Sequence, residues 1–169
     1  MSMRHTRIET ALGELILVAD GDAIVGLYFP DHWYGSAGGD FGPRPDGGDD
    51  LLDRAAAQLG EYLAGERESF DLPLEGRGDD FERRVWRLID AIPYGATTTY
   101  GSIATELGDP SQARRVGQAV GHNPLSILVP CHRVVGADGG LTGYAGGIER
   151  KRFLLELEEP EPEQRGRLF

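Results

Sequence analysis

Cysteine is nearly absent from this chain. Cys131 is the single one among 169 residues, which excludes an intramolecular disulfide framework and a multi-cysteine zinc site. No apolar run reaches the roughly 20 residues a helix needs to span a bilayer, and residues 1–5 hold no hydrophobic signal core. A reducing cytoplasm is the expected compartment, with no membrane partner. Basic residues are also scarce: 17 Lys and Arg face 28 Asp and Glu, a net charge of −11. That balance argues against a broad nucleic-acid-binding surface, but its distribution softens the objection. Residues 1–78 hold six basic and 15 acidic residues, whereas residues 100–155 hold six basic and four acidic. A weakly basic local face is therefore available in the second half.

What is present suffices for a packed core, in one domain or in two small ones sharing an interface. Residues 14–29 read as two strands flanking Asp20-Gly21, a hairpin signal, with a preceding strand over 4–9. Residues 35–50 hold six Gly, two Pro and four Asp, and read as a long flexible loop. Residues 50–64 place Leu51, Leu52, Ala55, Leu59, Tyr62 and Leu63 on one helical face, with Gly65 ending it. A strand is expected over 69–74. The polar Glu75-Gly76-Arg77-Gly78 is the expected domain junction, dividing the chain into 1–78 and 79–169.

The second half begins with a helix from Asp79/Asp80 to Ala91, stopped by Pro93 and Gly95. Two short helices follow, over 100–107 and from Ser111, a plausible N-cap, to 121. Joined by a glycine-containing turn, they have the shape of a helix-turn-helix. Residues 125–129 are apolar and buried. Residues 136–147 contain six glycines and read as a mobile loop whose backbone approaches a ligand. A last helix over 148–158 carries Phe153, Leu154 and Leu157 on one face, and an acidic, disordered tail follows.

Cys131 has two readings. A free cysteine commonly behaves as a small buried hydrophobe. It is also a nucleophile when a base or cation favours its thiolate. Adjacent His132, preceding Pro130 and the following glycine-rich loop favour the second. Sequence neighbours point apart, so His132 would reach the sulfur through a water.

Residues 81–158 resemble the O6-alkylguanine-DNA alkyltransferases, the methylated-DNA–protein-cysteine methyltransferase family. The matching segments are Ile92-Pro93-Tyr94-Gly95 with Thr97 and Tyr100-Gly101; Ala113-Arg114-Arg115-Val116-Gly117; Gly121-His122-Asn123-Pro124; Val129-Pro130-Cys131-His132-Arg133-Val134-Val135; and Gly143-Tyr144 with Gly146-Gly147. The first half resembles the family only in layout. The resemblance implies an α+β, two-domain fold. A small ribonuclease H-like β-sheet domain would precede a mostly helical, winged-helix-like domain carrying the helix-turn-helix.

It further implies stoichiometric transfer of an alkyl group from O6-alkylguanine, and from O4-alkylthymine, to Cys131. Glu158 would orient His132, which would take the thiol proton through water. Tyr100 would protonate the leaving guanine, and Asn123 would brace the turn before the cysteine. Arg114 would fill the gap left by the flipped nucleotide. Gln112, Ala113, Gly117 and Ala119 would present the second helix to the minor groove. Val134, Gly143, Tyr144 and Ala145 would line the base pocket. Family members often carry serine where Ala145 stands, and Ala96, Thr98 and Thr99 replace acidic, Arg and Ser residues. No cofactor or metal is expected, since only His5 and His32 are available in the first half where some members bind zinc. The expected partner is double-stranded DNA bearing alkylated guanine, recognised independently of sequence. The protein would act as a monomer, binding cooperatively along DNA. Two rivals are a non-catalytic alkyltransferase-like lesion binder and a turning-over thiol hydrolase.

Overall fold

Three antiparallel strands open the chain: β1 (Arg4–Thr10), β2 (Gly13–Asp20) and β3 (Ala23–Tyr28), in the order β1-β2-β3. The computed structural model describes residues 3–29, 41–137, 144 and 147–159. Gly21 takes φ +59 in the β2–β3 turn, on the expected hairpin signal. The central strand is covered on both faces. Leu15, Leu17 and Ala19 enter the main core, while Ile16 and Val18 join Val25, Tyr28 and Phe41 on the other side. That double burial explains a continuous apolar run where a half-exposed strand would alternate.

Helix α1 (Asp50–Leu63) lies on this sheet through Leu52, Ala55, Leu59 and Tyr62. Its cap, Asp49, accepts from the Leu52 N–H and from Arg4 Nε of β1 at 2.6 Å, which ties the helix start to the sheet. The second part of the expected flexible loop packs back instead. Phe41 stacks on Tyr28 at 5.2 Å between ring centroids, and the His5 N–H donates to Pro43 O at 3.0 Å. Residues 30–40 lie outside the described residues.

The strand expected over 69–74 does not form. Only a single bridge, Leu74 to Ile24, is present. Gln58 of α1 takes both the N–H and the C=O of Asp71, and Pro73 has no N–H to give a ladder.

The second half is mostly helical. Its elements are α2 (Asp80–Asp90), β4 (Thr98–Thr99), α3 (Tyr100–Glu106), α4 (Ala113–Gly121), β5 (Val134–Val135) and α5 (Ile148–Glu158). Asp79 and Glu82 form a reciprocal capping box at the start of α2. Between α3 and α4 the cap is Asp109, not Ser111. The Asp109 carboxylate accepts both the N–H and the hydroxyl of Ser111, because residues Pro110–Gln112 make a 3-10 turn before α4 begins. On α5 the buried stripe is Lys151, Leu154 and Glu158, with Phe153 and Leu157 half-buried beside it.

The fold is mixed α and β, a small sheet followed by a helical region, in agreement with the fold class expected from the sequence. One apolar cluster runs from Leu12 and Leu27 through Ile89 and Val116 to Cys131 and Leu154. The free edge of β3 joins the two halves, since the Leu27 N–H donates to Pro124 O at 2.8 Å. Of the expected glycine-rich loop, only residues 136, 137, 144 and 147 are described, and the tail from 160 on lies outside the described residues.

Candidate active site

Cys131 is held at a double turn. Pro130 sits at φ −79 and ψ 63 while the Cys131 N–H reaches back to Val129 O at 2.7 Å, an inverse γ-turn. The Arg133 N–H then closes a 3-10 turn on Pro130 O at 2.9 Å. Four residues upstream, Ile127 lies at φ +71, a strained position for a β-branched residue, and its side chain is buried. Asn123 ties both sides of this segment together. Its Nδ2 donates to Val129 O and its Oδ1 accepts from the Leu125 N–H, each at 3.0 Å. Beyond the cysteine, β5 pairs in parallel with β4, Thr98 opposite Val134. Lys151, the one lysine of the chain, is fully buried and donates to Val134 O at 2.6 Å.

Four donors converge on Glu158 at the end of α5. His132 Nε2 donates to Oε2 at 2.8 Å. Arg133 grips both oxygens, Nε to Oε1 and Nη2 to Oε2, each at 2.8 Å. The Tyr62 hydroxyl of α1 also donates to Oε2 and lies 3.4 Å from His132 Nε2. Burial alone would raise the Glu158 carboxyl, but the His132 and Arg133 donors outweigh it and hold the group down to about 2. An acceptor-only carboxylate fixes the imidazole with its proton on Nε2. Burial lowers the His132 pKa, so the ring favours its neutral form, with Glu158 pulling the other way. Its remaining nitrogen, Nδ1, is buried and has no partner among the described residues.

The thiol itself is buried. Desolvation pushes Cys131 up to about 11, against the opposing pull of Asn123 and Lys151. A thiol in this state needs a base. Two further buried polar atoms, Ser126 Oγ and Tyr144 OH, also lack partners among the described residues. Orphaned groups of this kind mark where a polar ligand or water would be taken up.

The remaining sequence-predicted residues divide. Tyr100 begins α3 and packs over Gly117 of α4, where a Cβ would meet its ring at 3.8 Å. Arg114 is exposed, and Ala113 and Gln112 are half-buried, with Gln112 also donating to Asp109. Ala119 is buried against α2, and its carbonyl accepts from Trp86 Nε1 at 2.8 Å. Val134 is buried, with its carbonyl occupied by Lys151. Gly143 and Ala145 lie outside the described residues. Among the described residues, no three His, Cys, Asp or Glu side chains group as metal ligands, and no helix is long and apolar enough to cross a membrane.

Sequence reasoning missed Tyr62, Arg133 and Lys151 as parts of this cluster. Tyr62 was read only as one apolar position of α1. Lys151 stands seven residues before Glu158, two turns along one helix face, and that spacing was the available signal.

Two family models match the chain. They describe the 6-O-methylguanine DNA methyltransferase ribonuclease-like domain, over residues 3–75, and the DNA binding domain of the same family, over residues 80–160. A Mycobacterium bovis protein named methylated-DNA–protein-cysteine methyltransferase is 47% identical over 158 residues, 93% of each chain. The constitutive protein of that name from Bacillus subtilis is 42% identical over 160 residues, covering 91% of this chain and 94% of its own. A crystal structure of Mycobacterium tuberculosis OGT in complex with DNA superposes with a TM-score of 0.84 at 46% identity, over 92% of each chain.

Proposed function

Because this chain belongs to the 6-O-methylguanine DNA methyltransferase family, we propose that Cys131 is the acceptor through which it reverses alkylation damage. The protein is a methylated-DNA–protein-cysteine methyltransferase that binds DNA and repairs it by direct reversal. In the proposed reaction, the sulfur attacks the alkyl carbon on O6 of a flipped guanine. The S–C bond forms as the C–O bond breaks, and the electron pair passes to the purine. His132 Nδ1 takes the thiol proton through a bound water, and Tyr100 supplies a proton to the leaving base. The product is a thioether with no acyl carbon for water to attack, so each protein molecule acts once.

One observation carries this reading. A buried acid, Glu158, fixes His132 with Nε2 as donor, which leaves Nδ1 as the unoccupied basic position on the residue that directly follows, in sequence, a thiol that burial keeps protonated. A base inside a duplex cannot meet a buried thiol, so the nucleotide must leave the stack. Arg114, exposed at the start of α4, is suited to fill the vacated space. The expected substrate is O6-alkylguanine in duplex DNA, with O4-alkylthymine as a second lesion, and the expected acting species is a monomer.

Stoichiometry tests the reading. With excess duplex carrying O6-methylguanine, demethylation should stop at one base per protein molecule, and Cys131→Ser should transfer nothing. Continued turnover would replace this reading with a hydrolase. Lesion binding with no transfer by the unaltered chain would replace it with a non-catalytic lesion binder.

A further inference from the structure

Glu158 Oε2 serves three donors at once: His132, Arg133 and Tyr62. His132 and Arg133 belong to the cysteine turn itself. Tyr62 comes from α1, 70 residues before His132 in the chain, and its ring is locked between Phe70 at 5.2 Å and Tyr94 at 6.3 Å between centroids. We infer that Tyr62 is a positioning residue for the transfer reaction, holding Glu158 so that the acid orients His132 without drawing a second proton onto the ring. This rests on the reading of Cys131 as acceptor and His132 as its base.

The physical argument concerns how the carboxylate's charge is shared. Each donor to Oε2 takes up part of that charge. With Tyr62 and Arg133 in place, less of it falls on the His132 Nε2–H, and the imidazolium gains less from its acid. Neutral imidazole is the form that can accept the thiol proton. The groups around His132 and its acid are Glu158 and Lys151 of α5, Arg133 and Cys131 of the turn, Tyr62 of α1, Tyr94 after α2, and Tyr144. Of these, Tyr62 alone is a neutral donor to Oε2 and can be changed without removing a charge.

The test is a single-turnover pH–rate profile for transfer from O6-methylguanine duplex to Cys131. Tyr62→Phe keeps the ring and removes the hydroxyl. It should move the acid limb to higher pH, with a loss of about threefold at mildly acidic pH that is recovered at alkaline pH. Replacing Tyr62 by 3-fluorotyrosine keeps the hydroxyl and strengthens its donation, so it should move the limb the other way. That opposite shift stands even if Tyr62→Phe folds poorly. An unaltered chain that transfers nothing overturns the Cys131 reading and this inference with it. An unaltered chain that transfers normally, with the fluorotyrosine limb superposed on its own, overturns the inference alone. A purely structural role for Tyr62 would lower the rate equally at every pH.

Discussion

Cys131 is shielded from solvent, and burial sets its thiol at about 11 rather than 9.0. Iodoacetamide in the absence of DNA should therefore label it slowly at neutral pH, with the rate climbing as pH rises towards 11. A plateau already reached at neutral pH would contradict the buried, protonated thiol. Glu158 gives a second pH dependence, from a pKa shifted in the opposite direction. Its carboxyl is held at about 2 in the folded chain against an ordinary 4.5. The unfolded chain therefore binds the proton first as pH falls. The stabilisation is complete above about 4.5 and is lost progressively towards 2, which urea midpoints across that range should trace. Glu158→Gln should flatten this limb and destabilise the fold by about 3–5 kcal/mol, because it leaves Arg133 buried without its counter-charge. At this scale the sequence exposed the cysteine and its histidine through the Pro-Cys-His-Arg pattern. It hid Tyr62 and Lys151, because a tyrosine on an apolar face looks like core, and a lysine on an outer helix looks solvated until the packing places it inside.

Elements with strong local signals were legible. The hairpin at Gly21, the apolar face of α1, the capped start of α2, and the glycine-containing turn after α3 all follow from residues within one or two turns. The stretch over 69–74 was not legible. Its apolar residues at alternate positions suggested a strand, but Gln58, far away in sequence, captures the backbone groups a strand would use. Ser111 was misjudged for a similar reason, because Asp109 outcompetes it as the acceptor. The capping box offers a direct check: Asp79→Ala should lower stability by about 1 kcal/mol, read from a denaturant midpoint. Helix α4 bears on function. Arg114→Ala should slow transfer from a lesion in duplex DNA while leaving reaction with free O6-benzylguanine base unchanged. Equal loss on both substrates would argue that Arg114 supports the pocket rather than the duplex.

The molecule as a whole carries a charge of −11 and yet belongs to a DNA-binding family. Attraction to phosphate must therefore come from a local face, working against the field of the acidic first half. Binding to undamaged duplex should be weak and should fall linearly in log–log form with salt. A flat salt response would contradict phosphate-driven positioning. The same first half has a second part to play, since β3 supports the segment before the cysteine and α1 sends Tyr62 to Glu158. That joint construction was invisible in the sequence, where the two halves look separable at the glycine-rich junction over 75–78. The central claim remains the fate of the Cys131 sulfur. Intact-protein mass spectrometry after incubation with O6-methylguanine duplex, followed by peptide mapping, tests it most directly. The account predicts a gain of one methylene per molecule, located on Cys131. An unchanged mass on protein that has repaired the duplex, or a gain on any other residue, would contradict it.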